Sequence, residues 1–186
     1  ENTSANFNMV IPSKSLREFS AVFTDDIETV EVFFSDSQVL FRSDYISFYT
    51  RLLEGNYPDT DRLLTNSFET EVTFNTAALR SAMERAYLIS NATQNGTVKL
   101  EITSDSISSH VNSPEVGKVN EELDSISQSG SDLTISFNPT YLIEALKALK
   151  SETVMIRFIS PVRPFTLMPG DDTENFVQLI TPVRTN

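Results

Sequence analysis

The sequence contains no cysteine and no tryptophan, only one histidine and only five glycines. Without cysteine there are no disulfides, no thiolate metal sites and no thiol nucleophile. The lone histidine, His110, falls inside a segment with the alternation of a strand, and no serine nucleophile context accompanies it, so no Ser-His-Asp set can be argued. The scattered glycines form no phosphate-binding loop. No run of about 18 apolar residues exists to span a bilayer, and the first residues lack the pattern of a secretory leader. Basic residues are also scarce: 14 Lys and Arg against 26 Asp and Glu, a net charge of −12. The densest acidic group, Asp171, Asp172 and Glu174, lacks the spacing of a calcium loop and reads as a solvated turn; a metal-dependent hydrolase built on it has little support. These absences point to a protein that is not an enzyme and needs no cofactor and no metal.

What is present is enough apolar material for a core, including 13 Phe and 5 Tyr in 186 residues. Its arrangement repeats. The stretch LTISFNPTYLIEALKAL, 133–149, reads as a short strand, a turn at Asn138 and Pro139, and an amphipathic helix with Leu142, Ala145, Leu146 and Leu149 on one face. A shift of 63 residues towards the N-terminus places Phe74-Asn75 under Phe137-Asn138, and Leu79, Ala82 and Ala86 under Leu142, Ala145 and Leu149. A second equal shift reaches Ile11-Pro12, Leu16, Phe19 and Phe23. The period exceeds the roughly 20–50 residues of common solenoids and suits duplicated half-domains.

Three strand-like segments follow each helix: 29–34, 38–43 and 46–53; 97–103, 106–112 and 118–123; 153–159, 164–169 and 176–182. The expected class is therefore α+β: repeated strand-helix-three-strand units, with antiparallel sheets and helices on one face. Segment 55–67 reads as a domain boundary and 125–132 as a polar separator. If two copies close one domain, copies two and three form it, over 67–186, divided near 128. Copy one, 1–66, is then half of another domain, with an apolar face left partly exposed or covered by a neighbouring chain.

The charge is segregated. Helical windows 13–23, 76–90 and 139–151 hold Lys14, Arg17, Arg80, Arg85, Lys147 and Lys150, but only Glu18, Glu84 and Glu144. Each window is net +1 on an otherwise acidic chain, which suggests a surface kept positive. The apolar C-terminal stretch QLITPVRTN, 178–186, is unusual for a chain end and suggests a sheet edge or a groove wall.

GNYPDTDRLL (55–64), FNPTYLIEALKAL (137–149) and LITPVR (179–184), in this order, resemble the bacterial DNA polymerase III beta subunit family, the replicative sliding clamp, and its Gram-positive members most. The resemblance implies a DNA-clamp fold, with 1–66 as the second half of the middle domain and 67–186 as the complete C-terminal domain. In that family two subunits close head-to-tail into a ring around double-stranded DNA, and the ring acts as a processivity factor in DNA replication. The basic residues of the helical windows would face DNA phosphates without reading bases. The family's partner groove takes a short linear motif from the replicative polymerase and the clamp loader. By resemblance it would include Pro58, Arg62, Leu63, Asn138, Tyr141, Val162, Pro164, Leu179, Ile180, Thr181, Pro182, Val183 and Arg184. Leu88, Ile89, Glu115, Glu121 and Glu122 match the edge that closes the ring. The family's N-terminal domain and the start of its middle domain have no counterpart in this sequence, so a polypeptide of this length is expected not to close a ring. The resemblance also implies a cytoplasmic, homodimeric DNA-binding protein with no membrane partner, in which the N-x-[ST] sites at Asn2, Asn91 and Asn95 carry no sugar. The competing reading is an acidic α+β protein-interaction module with no DNA role.

Overall fold

The computed structural model describes residues 8–55, 57, 67–91, 96–113, 117–171 and 176–184. The chain divides into two compact units, Glu1–Asp59 and Thr60–Asn186. No helix of the described residues is long and apolar enough to cross a membrane.

The first unit holds α1 (Ser13–Val22) and a meander of β1 (Glu31–Phe34), β2 (Gln38–Arg42) and β3 (Ser47–Arg51), all antiparallel. Helix α1 lies on one face of this sheet. Phe19 packs on Phe41 and Phe48, with ring centroids at 4.6 and 6.1 Å, and stacks on Phe23 at 4.4 Å. Ser15 Oγ and Thr50 Oγ1 share a hydrogen bond of 2.8 Å. The cover is incomplete. No described residue of α1 is fully buried, and Leu16, Val32 and Phe34 remain substantially exposed.

The second unit runs β4 (Thr70–Asn75), α2 (Thr76–Ser90), β5 (Val98–Ile102), β6 (Ile107–Ser113), β7 (Gly117–Glu122), β8 (Ser127–Gly130), β9 (Leu133–Phe137), α3 (Pro139–Ala148), β10 (Thr153–Phe158), β11 (Phe165–Pro169) and β12 (Gln178–Ile180). Its strands form two antiparallel sheets, ordered β12-β11-β10-β4-β8 and β7-β6-β5-β9. The two copies are interlocked. The leading strand of copy two, β4, pairs with β10 of copy three, and the leading strand of copy three, β9, pairs with β5 of copy two. Neither meander is therefore complete without the other copy, and both lie in the one compact unit Thr60–Asn186.

Alternation along the central strands turns one face inward: Val72 and Phe74, Val98, Leu100 and Ile102, Ile135 and Phe137, and Val154, Ile156 and Phe158 are all buried. Helices α2 and α3 bury Leu79, Ala82, Met83 and Ala86, and Leu142, Ala145 and Leu146, and they pack against each other. The alanines let the two backbones come close. One contiguous hydrophobic cluster joins both sheets and both helices.

The repeat is visible in backbone chemistry. The N-cap positions are Pro12, Asn75 and Asn138, spaced by the sequence offset. Asn75 Oδ1 accepts the Ala78 N–H at 3.0 Å and Asn138 Oδ1 the Thr140 N–H at 2.9 Å, each satisfying an orphan donor of the first turn. Two residues ahead of each cap, the carbonyls of Val10, Thr73 and Ser136 accept the N–H groups of Leu53, Ile126 and Val183 at 2.8, 2.7 and 2.7 Å. In each copy the segment after the last meander strand thus returns to that copy's own leading segment.

Three readings of the sequence are corrected. Segment 125–132 is not only a separator: it contains β8, an edge strand paired with β4 through backbone bonds that its Ser-Gln-Ser-Gly composition does not signal. Residues 9–11 form no assigned strand, and the Leu53 bond to Val10 is the backbone bond recorded there. The third helix stops at Ala148 rather than continuing to 151, because Leu149 turns to an extended backbone and its side chain is buried. Lys150 therefore lies beyond the helix.

Strand β8 ends on Gly130, whose φ of +100° is open to glycine but not to ordinary side chains. A Cβ there would run into the carbonyl of Glu69. We predict that Gly130→Ala destabilises the second unit by about 1–3 kcal/mol and frays β8 first. Urea unfolding followed by circular dichroism, with amide exchange on 127–131, checks this.

Candidate peptide groove and cationic helix pair

Helix α3 presents Tyr141, Glu144, Ala145 and Ala148 in one row, at the three- and four-residue steps of a helix face. Opposite this row runs the end of β12 with Thr181. Between them is a cavity of about 290 Å³. The pieces are held from behind. Pro139 and the Asn138 cap fix the start of α3, so Tyr141 falls in the first turn, 54% exposed. Strand β12 is anchored by pairing with β11, Ile180 opposite Phe165 and Leu179 opposite Thr166. The Val183 N–H then donates to Ser136 on β9, so the tail is tied down past the strand. The result is an open trough with an aromatic at one lip, aliphatic walls and one carboxylate, Glu144.

Of the expected groove residues, the structure brings Tyr141, Leu179, Ile180 and Thr181 together on the cavity wall. Ile180 is buried and supports the floor rather than the surface. Asn138 serves as the helix cap. Val162 is exposed in the turn after β10, and Pro164 is half-buried just before Phe165, the cross-strand partner of Ile180. Pro182, Val183 and Arg184 continue the tail without lining the cavity. Pro58, Arg62 and Leu63 lie outside the described residues. Sequence reasoning missed Glu144, Ala145, Ala148 and Gln178 as groove residues. The helical period from Tyr141 would have found the first three.

The cations are less free than their count suggests. Glu84 of α2 lies 4.0 Å from Arg80 and 3.5 Å from Lys147 of α3, so one carboxylate serves two cations across the helix pair. Arg85 is ion-paired with Glu121 of β7, and that hydrogen bond pushes its pKa up, keeping it charged. Lys14 pairs with Glu18 at 3.9 Å. Arg17 and Lys150 have no ion pair among the described residues. With Lys150 past the helix end, α3 carries Glu144 against Lys147 and no net charge, which corrects the expected excess on the third helix.

On the other side of the unit, β7 is an edge strand carrying Glu121 and the exposed Glu122. Leu88 of α2 is 75% exposed, while Ile89 packs against the core. Glu115 lies outside the described residues. His110 is held at both ring nitrogens, by Asn120 at 2.8 Å and Ser108 at 2.9 Å. Asp171 accepts from Ser151 Oγ at 3.0 Å, and Asp172 and Glu174 lie outside the described residues. Among the described residues no cluster of three or more acidic or histidine side chains could hold a metal.

Two family models match in sequence order: the DNA polymerase III beta subunit central domain over residues 1–59, and its C-terminal domain over residues 61–184. The chain belongs to the DNA polymerase III beta subunit family. The beta sliding clamp of Streptococcus pneumoniae is 70% identical over the whole chain, and that of Lactococcus lactis 54%. The chain spans about half the length of these curated relatives. Among solved structures, the beta subunit from DNA polymerase of Streptococcus pyogenes is 82% identical and superposes with a TM-score of 0.91, covering 100% of this chain and 50% of that one. The DNA polymerase sliding clamp from Bacillus subtilis is 40% identical at a TM-score of 0.83, covering 97% and 47%.

Proposed function

We propose that this chain is part of a replicative sliding clamp: a non-catalytic, cytoplasmic processivity factor that encircles duplex DNA and tethers polymerase and clamp loader through the trough between α3 and β12. The domain assignment follows: 1–66 as the second half of the middle clamp domain and 67–186 as the C-terminal one. The observation that carries this reading is the trough itself, with an exposed tyrosine over an aliphatic floor and a tail pinned beside it. Extended motifs with bulky apolar residues are captured by such small apolar recesses with few polar anchors. The test is fluorescence anisotropy with a labelled peptide containing a glutamine and bulky apolar residues. The wild-type chain binds it, and absence of saturable binding overturns the reading.

The sparse, largely ion-paired cations on α2 and α3 suit weak contact rather than grip. A duplex held by enclosure needs only salt-screened attraction to phosphates, and mobility along it is preserved. Since Glu84 restrains both Arg80 and Lys147, neutralising it releases two cations. We predict that Glu84→Gln strengthens duplex binding at low salt and steepens the dependence of log K on log salt by about 1–2. An unchanged slope counts against these helices facing phosphate. The edge formed by β7 and Leu88 is assigned to subunit contact.

A further inference from the structure

Among the described residues, Glu144 is the one charged side chain on the wall of the trough. It stands on the exposed row of α3 between Tyr141 and Ala148, with Gln178 and Thr181 on the opposite wall. It has no ion pair among the described residues, and the helix itself supplies the reason. The one cation within a turn of it on α3 is Lys147, whose Nζ lies 3.5 Å from Glu84 of α2 and is drawn across the helix pair. Four residues before Glu144 stands Thr140 and four after stands Ala148, neither able to pair with a carboxylate's charge. The carboxylates of the other two helices are engaged, Glu18 with Lys14 and Glu84 with Arg80 and Lys147. Glu144 therefore offers an uncompensated carboxylate beside aliphatic surface, where a partner charge is screened less than in open water.

We infer that Glu144 selects partner peptides by charge, so that the trough prefers an extended segment carrying a lysine or arginine beside its bulky apolar anchor. Such selection rests on the trough being the peptide site. Geometry sets the spacing. Tyr141 and Glu144 are three residues apart, a rise of about 4.5 Å along the helix. An extended peptide advances about 3.3 Å per residue and turns alternate side chains to opposite faces. With the anchor under Tyr141, the next side chain on the same face is two residues away, about 6.6 Å along. A lysine or arginine there can lay its apolar stem on Ala148 and bring its charged head back to Glu144. A glutamate at the same place meets like charge.

The chain's net charge of −12 attracts any basic peptide from a distance, so the test must separate the local effect from the overall one. The probes are labelled peptides identical except for Lys, Gln or Glu two residues to either side of the apolar anchor, followed by fluorescence anisotropy on the full chain at low salt. For one of the two sides, the lysine peptide is expected to bind about three- to fivefold tighter than the glutamine peptide, and the glutamate peptide more weakly than either. Glu144→Gln is expected to abolish the difference and Glu144→Lys to reverse it, both variants staying folded by circular dichroism because the site is exposed. Asp105→Asn removes the same charge from the exposed turn between β5 and β6 and is expected to leave the preference intact. A lysine preference as large in Glu144→Gln as in the wild type overturns the inference, because the attraction then comes from the whole chain. Equal affinity for all the peptides also overturns it, while leaving the trough as the peptide site. Absence of binding by every peptide removes that site and the charge selection with it.

Discussion

Replacing Phe137 with alanine is expected to lower the unfolding free energy of the second unit by about 3–5 kcal/mol. Phe137 is fully buried, with none of its surface reaching solvent. It ends β9, the strand that copy three lends to the sheet of copy two, and it sits opposite Val98. Its ring meets Phe165 of β11 edge-on at 5.3 Å, and Phe165 in turn meets Phe158 at 5.1 Å. The side chain therefore fills space between the two sheets, and neither can collapse inward without the other. Deletion removes transfer energy and leaves a cavity that this interlocked frame is slow to close. Both sheets should lose stability together. Amide exchange on β5 and β10 would then show equal losses of protection, while urea unfolding gives the free energy. A loss below about 1 kcal/mol, or a loss confined to one sheet, would show that the exchange does not couple them. Phe33→Ala in the first unit, where the ring is half-exposed, serves as the contrast and should cost far less.

The sequence made the faces of these elements legible better than their neighbours. Helix α2 was readable to its ends, because Asn75 caps it and Leu79, Ala82 and Ala86 keep the helical step. The third helix was read too long, because Leu149 continues the apolar step although its backbone has already left the helix. Period-two alternation told which side of β4 and β9 turns inward. It carries no information about which strand lies alongside, so the exchange between copies was invisible until the pairing was seen. Strand β8 was missed for the opposite reason: it is held chiefly by backbone bonds at an edge, and it carries no apolar side chain to mark a buried face. The trough was half legible. Tyr141 and the apolar tail stood out, and the residues between them, Glu144 and Ala148, belong to an ordinary-looking helix until β12 is laid against it. The ion pairs that quiet the basic residues were not readable either, since Glu121 and Arg85 are far apart in the chain.

Tyr141→Ala should weaken capture of the labelled peptide by at least about tenfold, roughly 1.4 kcal/mol, without loss of folding. The side chain is more than half exposed in the first turn of α3, so removing it leaves the core as it was. What it removes is an aromatic lip above the floor of Leu179 and Ala145, the part of the trough best suited to grip a bulky apolar residue. Truncation after Pro182 attacks the other side. It deletes Val183, whose N–H to Ser136 ties the tail to β9, and releases the strand end that forms the far wall. This change should act through position rather than contact, so peptide dissociation quickens while the unit stays folded by circular dichroism. The two alterations touch the same trough from opposite walls and should therefore be less than additive when combined. Binding indifferent to both would remove the trough from the proposed function. Sensitivity to the truncation alone would move the site along the tail, towards Pro182 and Arg184.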